Sequence, residues 1–271
     1  MRKRISLLVT LVVALVVALV SVDRTADAAR TGGVFQSGCK LVFTKTMDPF
    51  AEELGQDPAH SHLHEFYGNK YIYQGATYSY LVNHPATTCK AQFVTSSYWN
   101  PANRDPDGRN QPTRLSFYYS RGGASPSQLH QIPDGAKLYG TKEDFRCGAQ
   151  SPTQSPPYGC RANEFRIRVH FPSCWTQQGL NPQAFVYPQG GSCPSGSVPI
   201  VRLRTAIHYA NSGGVLRRDL RIAAGDGTWQ DYTFMHGDAF EANQQPAFNR
   251  KIKFCVFEVG PNEPTPDTCV P

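Results

Sequence analysis

Apolar and polar residues alternate along several stretches of the chain, and this alternation is its dominant periodic signal. In EFRIRVHF at 164–171, apolar side chains take every second position. PIVRLRTAIHYA at 199–210 repeats the pattern. Such alternation is typical of half-buried antiparallel strands. The polar positions hold Arg166, Arg168, Arg202 and Arg204, which would share one face if the two strands paired. We interpret that face as an ordinary solvated sheet surface, with a basic binding surface as the alternative.

Further short runs rich in β-branched and aromatic residues also predict strands. They are KLVFTK at 40–45, TYSYLVN at 77–83, RLSFYYS at 114–120, LRRDLRIAA at 216–224 and KIKFCVFEV at 251–259. Helical periodicity is scarce: 49–54 and 240–248 are the candidates, and Pro246 interrupts the second. The pattern predicts an all-β fold, a single antiparallel β-sandwich or jelly-roll-like domain over 29–271 with long disulfide-stapled loops and few short helices.

The N-terminus carries the features of an export signal. MRKR supplies positive charge, Ile5 to Val22 is an almost unbroken apolar run, and Ala26-Asp27-Ala28 offers a small-x-small cleavage pattern. We predict a signal peptide over 1–28. The run has 18 residues, close to the length of a membrane span, so an uncleaved anchor is the alternative. Both interpretations predict a secreted or extracellular chain, in contact with a membrane only if the run is retained.

Cysteine content fits an oxidising compartment. The eight cysteines are Cys39, Cys89, Cys147, Cys160, Cys174, Cys193, Cys255 and Cys269, all beyond the signal segment. None shows the C-x-x-C spacing of zinc or redox sites, so we predict up to four structural disulfides. Eight cysteines allow 105 pairings. Pairing of near neighbours predicts 147 with 160, 174 with 193 and 255 with 269, which leaves 39 with 89.

The charge of the chain excludes few partners. The net charge is +6, and residues 1–28 carry four basic and two acidic side chains, so the exported part retains +4. Such a mild excess, in a chain with an export signal, does not predict nucleic-acid binding. Attraction to an anionic cell wall would be weak once salt screens it.

DPAHSHLHEFYGN at 57–69 holds the clearest candidate for chemistry. His62 and His64, at i and i+2, point to the same face of an extended segment, and His60 joins them. His236 and Asp238 in FMHGDAF supply further ligands. We predict a metal site at His62, His64 and His236, suited to zinc or copper. Surface histidines without a metal are the alternative, and the spacing of the cupin metal motif does not match.

A second hypothesis assigns acid–base catalysis to these segments. His64, Glu65 and Asp238 could act as general acid and base in glycan hydrolysis. The alternative for Asp238 is the N-cap of a helix beginning near Ala239. No G-x-S-x-G segment supports a serine nucleophile. Trp99 and Trp229 lie in turn-rich surroundings and are candidates for stacking on an extracellular or cell-wall glycan.

Several segments together resemble a known family. They are HSHLHEFYGN, SSYWNPA, LSFYYS, IPDGAKLYG, FRIRVHFPSCW, YPQGGSCPSGSVPIVRLRTAIHY and FMHGDAF. Their order is similar to that in the secreted family of unknown function 1996, found in fungi and actinobacteria, over roughly 39–255. The resemblance places the family's histidine segment on His62 and His64, its F-P-S-C-W on 171–175, its C-P turn on 193–194 and its H-G-D on 236–238. The chain departs from the family at 241–250.

The resemblance implies no established reaction. Family members joined to carbohydrate-binding modules associate it with polysaccharides. We therefore expect a secreted protein that acts on or binds extracellular polysaccharide through a His/Asp cleft, with a glycan hydrolase as the enzymatic form. The alternative is a non-enzymatic metal-binding or wall-associated module.

Overall fold

The computed structural model describes residues 33–104, 112–156, 160, 162–210, 220–232, 235–260 and 267–270. The predicted signal segment, 1–28, lies outside them. In the described part of the chain, none of the helices has the length and apolar character needed to cross a membrane.

Short antiparallel strands dominate the described residues. The strands are β1 Val34–Cys39, β2 Leu41–Thr46, β3 Leu63–Gly68, β4 Ser97–Pro101, β5 Asn103–Arg104, β6 Pro112–Ser120, β7 Lys137–Gly140, β8 Lys142–Cys147, β9 Glu164–His170, β10 Cys174–Trp175, β11 Phe185–Val186, β12 Val198–Pro199, β13 Arg202–Ala210, β14 Arg221–Ala223, β15 Trp229–Asp231 and β16 Gly237–Phe240. The helices are α1 Tyr78–Asn83 and α2 Gln245–Ile252, which continues as a π-helical segment, Lys253–Glu258. Single 3-10 turns lie at Pro58–His60, Pro182–Ala184 and Asp267–Cys269.

Two five-stranded sheets form the body of the molecule. The first sheet has the order β1-β6-β13-β9-β8 and the second β2-β3-β4-β16-β7. Two three-stranded sheets, β11-β10-β12 and β15-β14-β5, lie beside them. In β9 buried and half-buried positions alternate as the sequence predicts, and β13 pairs with both β6 and β9. The predicted all-β antiparallel sandwich is confirmed.

The inner faces of the two sheets pack against each other. Tyr98 of the second sheet stacks on Phe117 of the first with ring centroids 5.5 Å apart, and its hydroxyl lies 2.7 Å from that of Tyr119. Gly140 and Gly237 are paired in the second sheet and face Val169 of the first. A Cβ at Gly140 would lie 2.9 Å from a Val169 methyl group, so the close approach of the sheets requires glycine there.

A second, smaller core covers the outer face of the second sheet. Phe66, Trp99 and Phe240 project from β3, β4 and β16 and pack with Phe50 and Leu81, which belong to the segments that cross over the sheet. This cover buries polar side chains on the same face that would otherwise be exposed to solvent. It therefore creates the surroundings of the site described below.

Two predicted strands are helical. TYSYLVN forms α1, because the Thr77 side chain caps the helix by accepting from Tyr80 N, and Leu81 anchors it in the second core. KIKFCVFEV lies in α2 and the π-helical segment that follows, where Phe254 is 46% exposed. Apparent alternation over such short runs does not distinguish a strand from a helix.

The two helices predicted from sequence are also corrected. Residues 49–54 form consecutive turns with no regular helix. The segment 240–248 begins with the end of β16, and α2 starts only at Gln245. Pro246 lies in the first turn of α2, where backbone N–H groups have no acceptor within the helix. The missing N–H of proline therefore costs no hydrogen bond, and Pro246 starts the helix and does not interrupt it.

The predicted cysteine pairs are all present. The disulfides join Cys39 to Cys89, Cys147 to Cys160, Cys174 to Cys193 and Cys255 to Cys269, and no cysteine is free. Four structural disulfides are consistent with an extracellular protein.

Candidate metal centre

Three histidines meet at one edge of the second core. The ligand nitrogens of His62, His64 and His236 all lie within 4.8 Å of one another. The Nε2 atoms of His64 and His236 are 3.3 Å apart although the residues are separated by 172 positions in the chain. The fold thus brings together the two segments in which the sequence predicted ligands.

Strand register explains why these side chains meet. His64 of β3 lies opposite Pro101 of β4, and Asp238 of β16 lies opposite Trp99 of β4. His236 precedes Asp238 by two residues, so it lies on the same face of the sheet, next to Pro101. Proline has no long side chain to fill the gap between β3 and β16, and the two imidazoles therefore reach each other across it.

His64 is held in the orientation of a ligand. Its Nδ1 lies 2.8 Å from the carbonyl oxygen of Met47, which only accepts, so Nδ1 carries the proton and donates. In the neutral ring this leaves the Nε2 lone pair directed at the cluster. A backbone carbonyl that fixes the tautomer in this way is the usual outer partner of a metal-bound histidine.

His62 closes the cluster on the solvent side. Its ring centroid is 4.3 Å from that of His64 and 5.2 Å from that of His236. Its Nε2 is buried and has no hydrogen-bond partner in the described part of the chain, although the residue as a whole is half-buried. His64 and His236 are buried, so the approach from solvent passes beside His62.

Burial favours the neutral form of all three imidazoles. It lowers the pKa of His62, and it lowers the pKa of His64 well below its usual range, with further lowering by the charges of His236 and His62. The pKa of His236 falls to about 3, mainly through burial and then through the charge of His62. Neutral imidazole is the form that coordinates metals.

Asp238 adds a buried carboxylate to the cluster. It is 1% exposed, and neither of its oxygens accepts a hydrogen bond in the described structure. Its Oδ2 lies 3.4 Å from Nε2 of His236. Burial, and then the charge of Asp48, raises its pKa well above the usual range. A buried carboxylate with no donor is costly unless it binds a cation.

Asp48 lies near Asp238 but is satisfied by the protein. Its Oδ1 accepts from the backbone N–H of Phe50 at 2.9 Å and from Nε1 of Trp99 at 3.3 Å. Burial raises its pKa, which these two hydrogen bonds oppose. The ring of Tyr139 lies 5.2 Å from that of His236, and burial followed by the charge of Asp238 raises the pKa of its phenol.

Sequence reasoning missed Met47, Asp48 and Tyr139. The only available signal was position: Met47 and Asp48 directly follow β2, which pairs with the strand that carries His64. Tyr139 belongs to β7 and lies opposite Asp238 in the register, which the sequence does not reveal.

The geometry fits a divalent transition metal. Three atoms within 4.8 Å of one another share a point no more than about 2.8 Å from each, and zinc–nitrogen bonds are about 2.1 Å long. The 3.3 Å separation of two nitrogens is close to the edge of a tetrahedron with such bonds, about 3.4 Å. Small side-chain movements would therefore complete coordination by three imidazoles, with Asp238 beside them.

Glu65 does not join this cluster. Because it is adjacent to His64 in β3, it points to the inner face of the sheet. There it binds Arg104 at 2.5 Å and accepts hydrogen bonds from Tyr67 and Tyr209 at 3.1 and 3.3 Å. Burial raises its pKa, against the opposing charge of Arg104. The expected grouping of Glu65 with His64 and Asp238 is wrong, since alternation in a strand separates neighbours. Asp238 lies within β16, so it does not cap a helix.

His60 also lies outside the cluster. Its Nδ1 contacts the Asp57 carboxylate at 2.7 Å, and its side chain is 78% exposed. The local reason is the 3-10 turn Pro58–His60, which ends before the extended segment of His62 begins.

The structure changes the aromatic candidates. Trp99 is 1% exposed and packs between Phe50 and Phe66, so it cannot stack on a glycan, contrary to expectation. Trp229 is half-buried, with the Arg104 guanidinium 5.7 Å from its ring. An aromatic patch that the sequence analysis did not single out lies instead around α1. Its members are Tyr71, Tyr73, Tyr80 and His84.

The fold and the site together describe a disulfide-linked β-sandwich with a buried polar cluster on the outer face of one sheet. A disulfide-linked, all-β chain holds a cluster of three histidines and one aspartate between its second sheet and the segment over it. A family described as "Domain of unknown function (DUF1996)" matches residues 48–242, which include the whole cluster. The chain belongs to this family, as its sequence motifs predicted. No curated protein and no solved structure matches the chain significantly.

Proposed function

We propose that the chain is an extracellular metal-binding protein in which His62, His64 and His236 hold a divalent transition metal. The observation that carries the proposal is the convergence of three buried ligand nitrogens within 4.8 Å, from segments far apart in sequence. Support comes from the outer hydrogen bond of His64 to Met47 and from the buried carboxylate of Asp238, which accepts no hydrogen bond from the described residues.

Three imidazoles suit zinc or copper, and a bound carboxylate would widen the choice towards manganese or iron. Three protein ligands leave a coordination position open, as in catalytic zinc sites and unlike closed structural ones. A metal in such a site supplies an activated water or a Lewis acid. In this chain Asp238 is positioned to accept a proton beside the cluster, and half-buried His62 leaves an approach for a substrate.

Metal binding is tested by calorimetric titration of chelator-treated protein with zinc, copper and manganese. We expect one equivalent of at least one of these ions to bind to the wild type. The double variant His64→Ala/His236→Ala is expected to lose at least about a hundredfold in affinity, since both nitrogens are removed.

His60→Ala is the matched control, because His60 is a histidine of the same segment that lies outside the cluster. It is expected to bind the metal as the wild type does. Equal affinity in the double variant and the wild type, with both folded, would refute the metal centre. So would the loss of binding in His60→Ala.

We further propose that the protein binds or acts on extracellular polysaccharide, on a separate observation. The ring of Tyr80 stacks on His84 with centroids 4.1 Å apart and contacts Tyr73 at 4.9 Å. Tyr71 and Tyr73 are 47% and 42% exposed. Exposed rings grouped in this way offer an apolar platform with polar edges, which suits the faces of sugar rings.

The glycan proposal is tested by co-sedimentation with insoluble polysaccharides and by release of reducing ends. Tyr71→Ala/Tyr73→Ala should lose binding to the glycan that the wild type retains. If the metal centre cleaves the glycan, chelator treatment and His64→Ala/His236→Ala should abolish release while binding persists. Retention of glycan binding in the tyrosine variant would refute the role of the patch, and release that survives chelation would refute metal-dependent cleavage.

A further inference from the structure

Five arginines line one depression on the outer face of the first sheet. We call it the arginine surface; its arginines are Arg146 of β8, Arg166 and Arg168 of β9, and Arg202 and Arg204 of β13. The depression has a volume of about 600 Å³, and among the residues that the structure describes no acidic one lines it. The pairing of β9 with β13 and β8 brings these side chains together, as the alternating polar positions allowed.

Only part of this charge is neutralised by neighbouring acids. Asp144 pairs with Arg168 and with His170, and Glu164 lies 3.5 Å from Arg166 at the end of the strand. Within the described residues, Arg202 and Arg204 have no ion pair, and their Nε atoms are buried without a hydrogen-bond partner. Guanidinium groups whose donors remain unused are poised to bind oxyanions.

Arg204 shows how the surface is pre-organised. Its guanidinium lies 4.4 Å from the centre of the Tyr118 ring, which faces it across β6 and β13. Stacking on the ring holds the planar fork in one orientation. Burial, together with the charges of Arg168 and Arg202, lowers the pKa of Arg204 to about 10, so the group stays charged at neutral pH while it experiences the repulsion of its neighbours.

The spatial distribution of charge explains why the net charge of the chain does not reveal the arginine surface. The outer face of the second sheet carries Asp48 and Asp238, and Glu52, Glu53 and Asp134 line a cleft near them. The acidic side chains of one face and the arginines of the other are thus separated in space, although Lys137 pairs with Glu53 in the cleft. The net charge of the chain averages over both and understates the local field.

We propose that the arginine surface binds an anionic polysaccharide through its carboxylate, sulfate or phosphate groups. Residues two apart in a strand are separated by about 6.6 Å and adjacent strands by about 4.8 Å, so the arginines form a two-dimensional array and not a single-ion pocket. An array with one stacked tyrosine matches a polymer that carries repeated anions. The concave shape does not fit a flat membrane surface, and four disulfides are typical of chains outside the cell, where anionic glycans occur.

This surface is independent of the metal centre, because the two lie on opposite faces of the sandwich. Its test is therefore separable from that of the proposed function. We expect wild-type protein to be retained on heparin and on polygalacturonate, but not on a neutral β-glucan, in the presence of chelator. Retention should weaken steeply as salt concentration rises, since counterions compete for the same groups.

The variant Arg202→Gln/Arg204→Gln should lose roughly tenfold or more in affinity for the anionic polymer, because charge-assisted hydrogen bonds are removed. The affinity of Arg204→Lys should lie between those of the double variant and the wild type, because lysine keeps the charge but lacks the planar guanidinium that forms two parallel hydrogen bonds. The matched control is Arg221→Gln/Arg250→Gln, which removes the same charge from exposed positions away from the depression. It should change the affinity by less than about twofold.

Each outcome decides the question. Equal losses in the two double variants would show attraction by net charge and overturn the site, as would unchanged binding in the first. Single-stranded DNA of matched charge that binds as tightly, with the same sensitivity to Arg202→Gln/Arg204→Gln, would overturn the assignment to polysaccharide. Melting temperatures within a few degrees of the wild type establish that the variants are folded.

Discussion

Replacing Asp238 with asparagine is expected to raise the stability of the metal-free protein. The carboxylate is 1% exposed, has no hydrogen-bond donor within the described residues and lies near the charge of Asp48. A buried polar group left without partners costs roughly 1–3 kcal/mol. Asparagine keeps the shape but removes the charge, so about 1 kcal/mol should be recovered, which raises the melting temperature by roughly 2–4 °C in a chain of this size.

The order of stability should reverse when the metal is present. At a free metal concentration of a hundred times Kd, binding stabilises the wild type by about 2.7 kcal/mol. The Asp238→Asn variant loses the charge that faces the ion, so its gain should be smaller. Differential scanning calorimetry in chelator and then in metal measures both differences on the same two proteins.

Asp48→Asn is the control for charge repulsion alone. It removes the other member of the same acidic pair, but Asp48 accepts hydrogen bonds from Phe50 and Trp99, and ionised acceptors bind about twice as strongly as neutral ones. We expect no gain in stability from it. A lower melting temperature for Asp238→Asn in chelator, or equal gains for the two variants, would refute the view that Asp238 is held unpartnered for a cation.

Three further predictions concern the framework. Burial raises the pKa of Glu241 from 4.5 to about 7. Its stabilising contribution to the free energy of unfolding, roughly 3 kcal/mol, is therefore complete below pH 4.5 and is lost as the pH rises through 7. Glu241→Gln should flatten this pH dependence in denaturant titrations. Gly140→Ala should cost about 1–3 kcal/mol in the same assay, because the new Cβ would lie 2.9 Å from Val169; an unchanged midpoint would contradict the close approach of the sheets. Replacing Cys39 and Cys89 with serine opens a loop with a sequence separation of 50 and should lower stability by about 4 kcal/mol; a loss below 1 kcal/mol would show that the unfolded chain is not constrained by that bridge.

The sequence predicted the features that depend on local periodicity, such as strands, and those that depend on the specific chemistry of histidine and cysteine. The alternation at 164–171 predicts a strand because a pleated backbone turns every second side chain inward, and β9 confirms it. Histidines two apart in an extended segment share a face, which brought His62 and His64 into the predicted site. Pairing of near neighbours in sequence was correct for three disulfides, and Cys39 and Cys89 form the fourth as the pair that remained.

What failed depended on tertiary context. Trp99 in a turn-rich segment predicts exposure, but the segment over the second sheet covers it. Glu65 was grouped with His64 by proximity in sequence, which alternation contradicts. Residues 77–83 form a helix because a capping threonine and a buried leucine outweigh the preference of tyrosine and valine for strands. The burial of Asp238 without a hydrogen bond from the described residues depends on the pairing of β7 with β16, which no local pattern reveals.

His64 and His236 are separated by 172 residues in the chain, so the three proposed ligands come together only when their strands have paired. Until β16 has added to β4, the chain offers only the weak pair formed by His62 and His64. The complete set of ligands is therefore a product of finished folding and not a nucleus for it. An ion held as proposed would therefore meet all three imidazoles only in the folded chain, so the metals available in the compartment where the protein resides would contribute to which ion it binds.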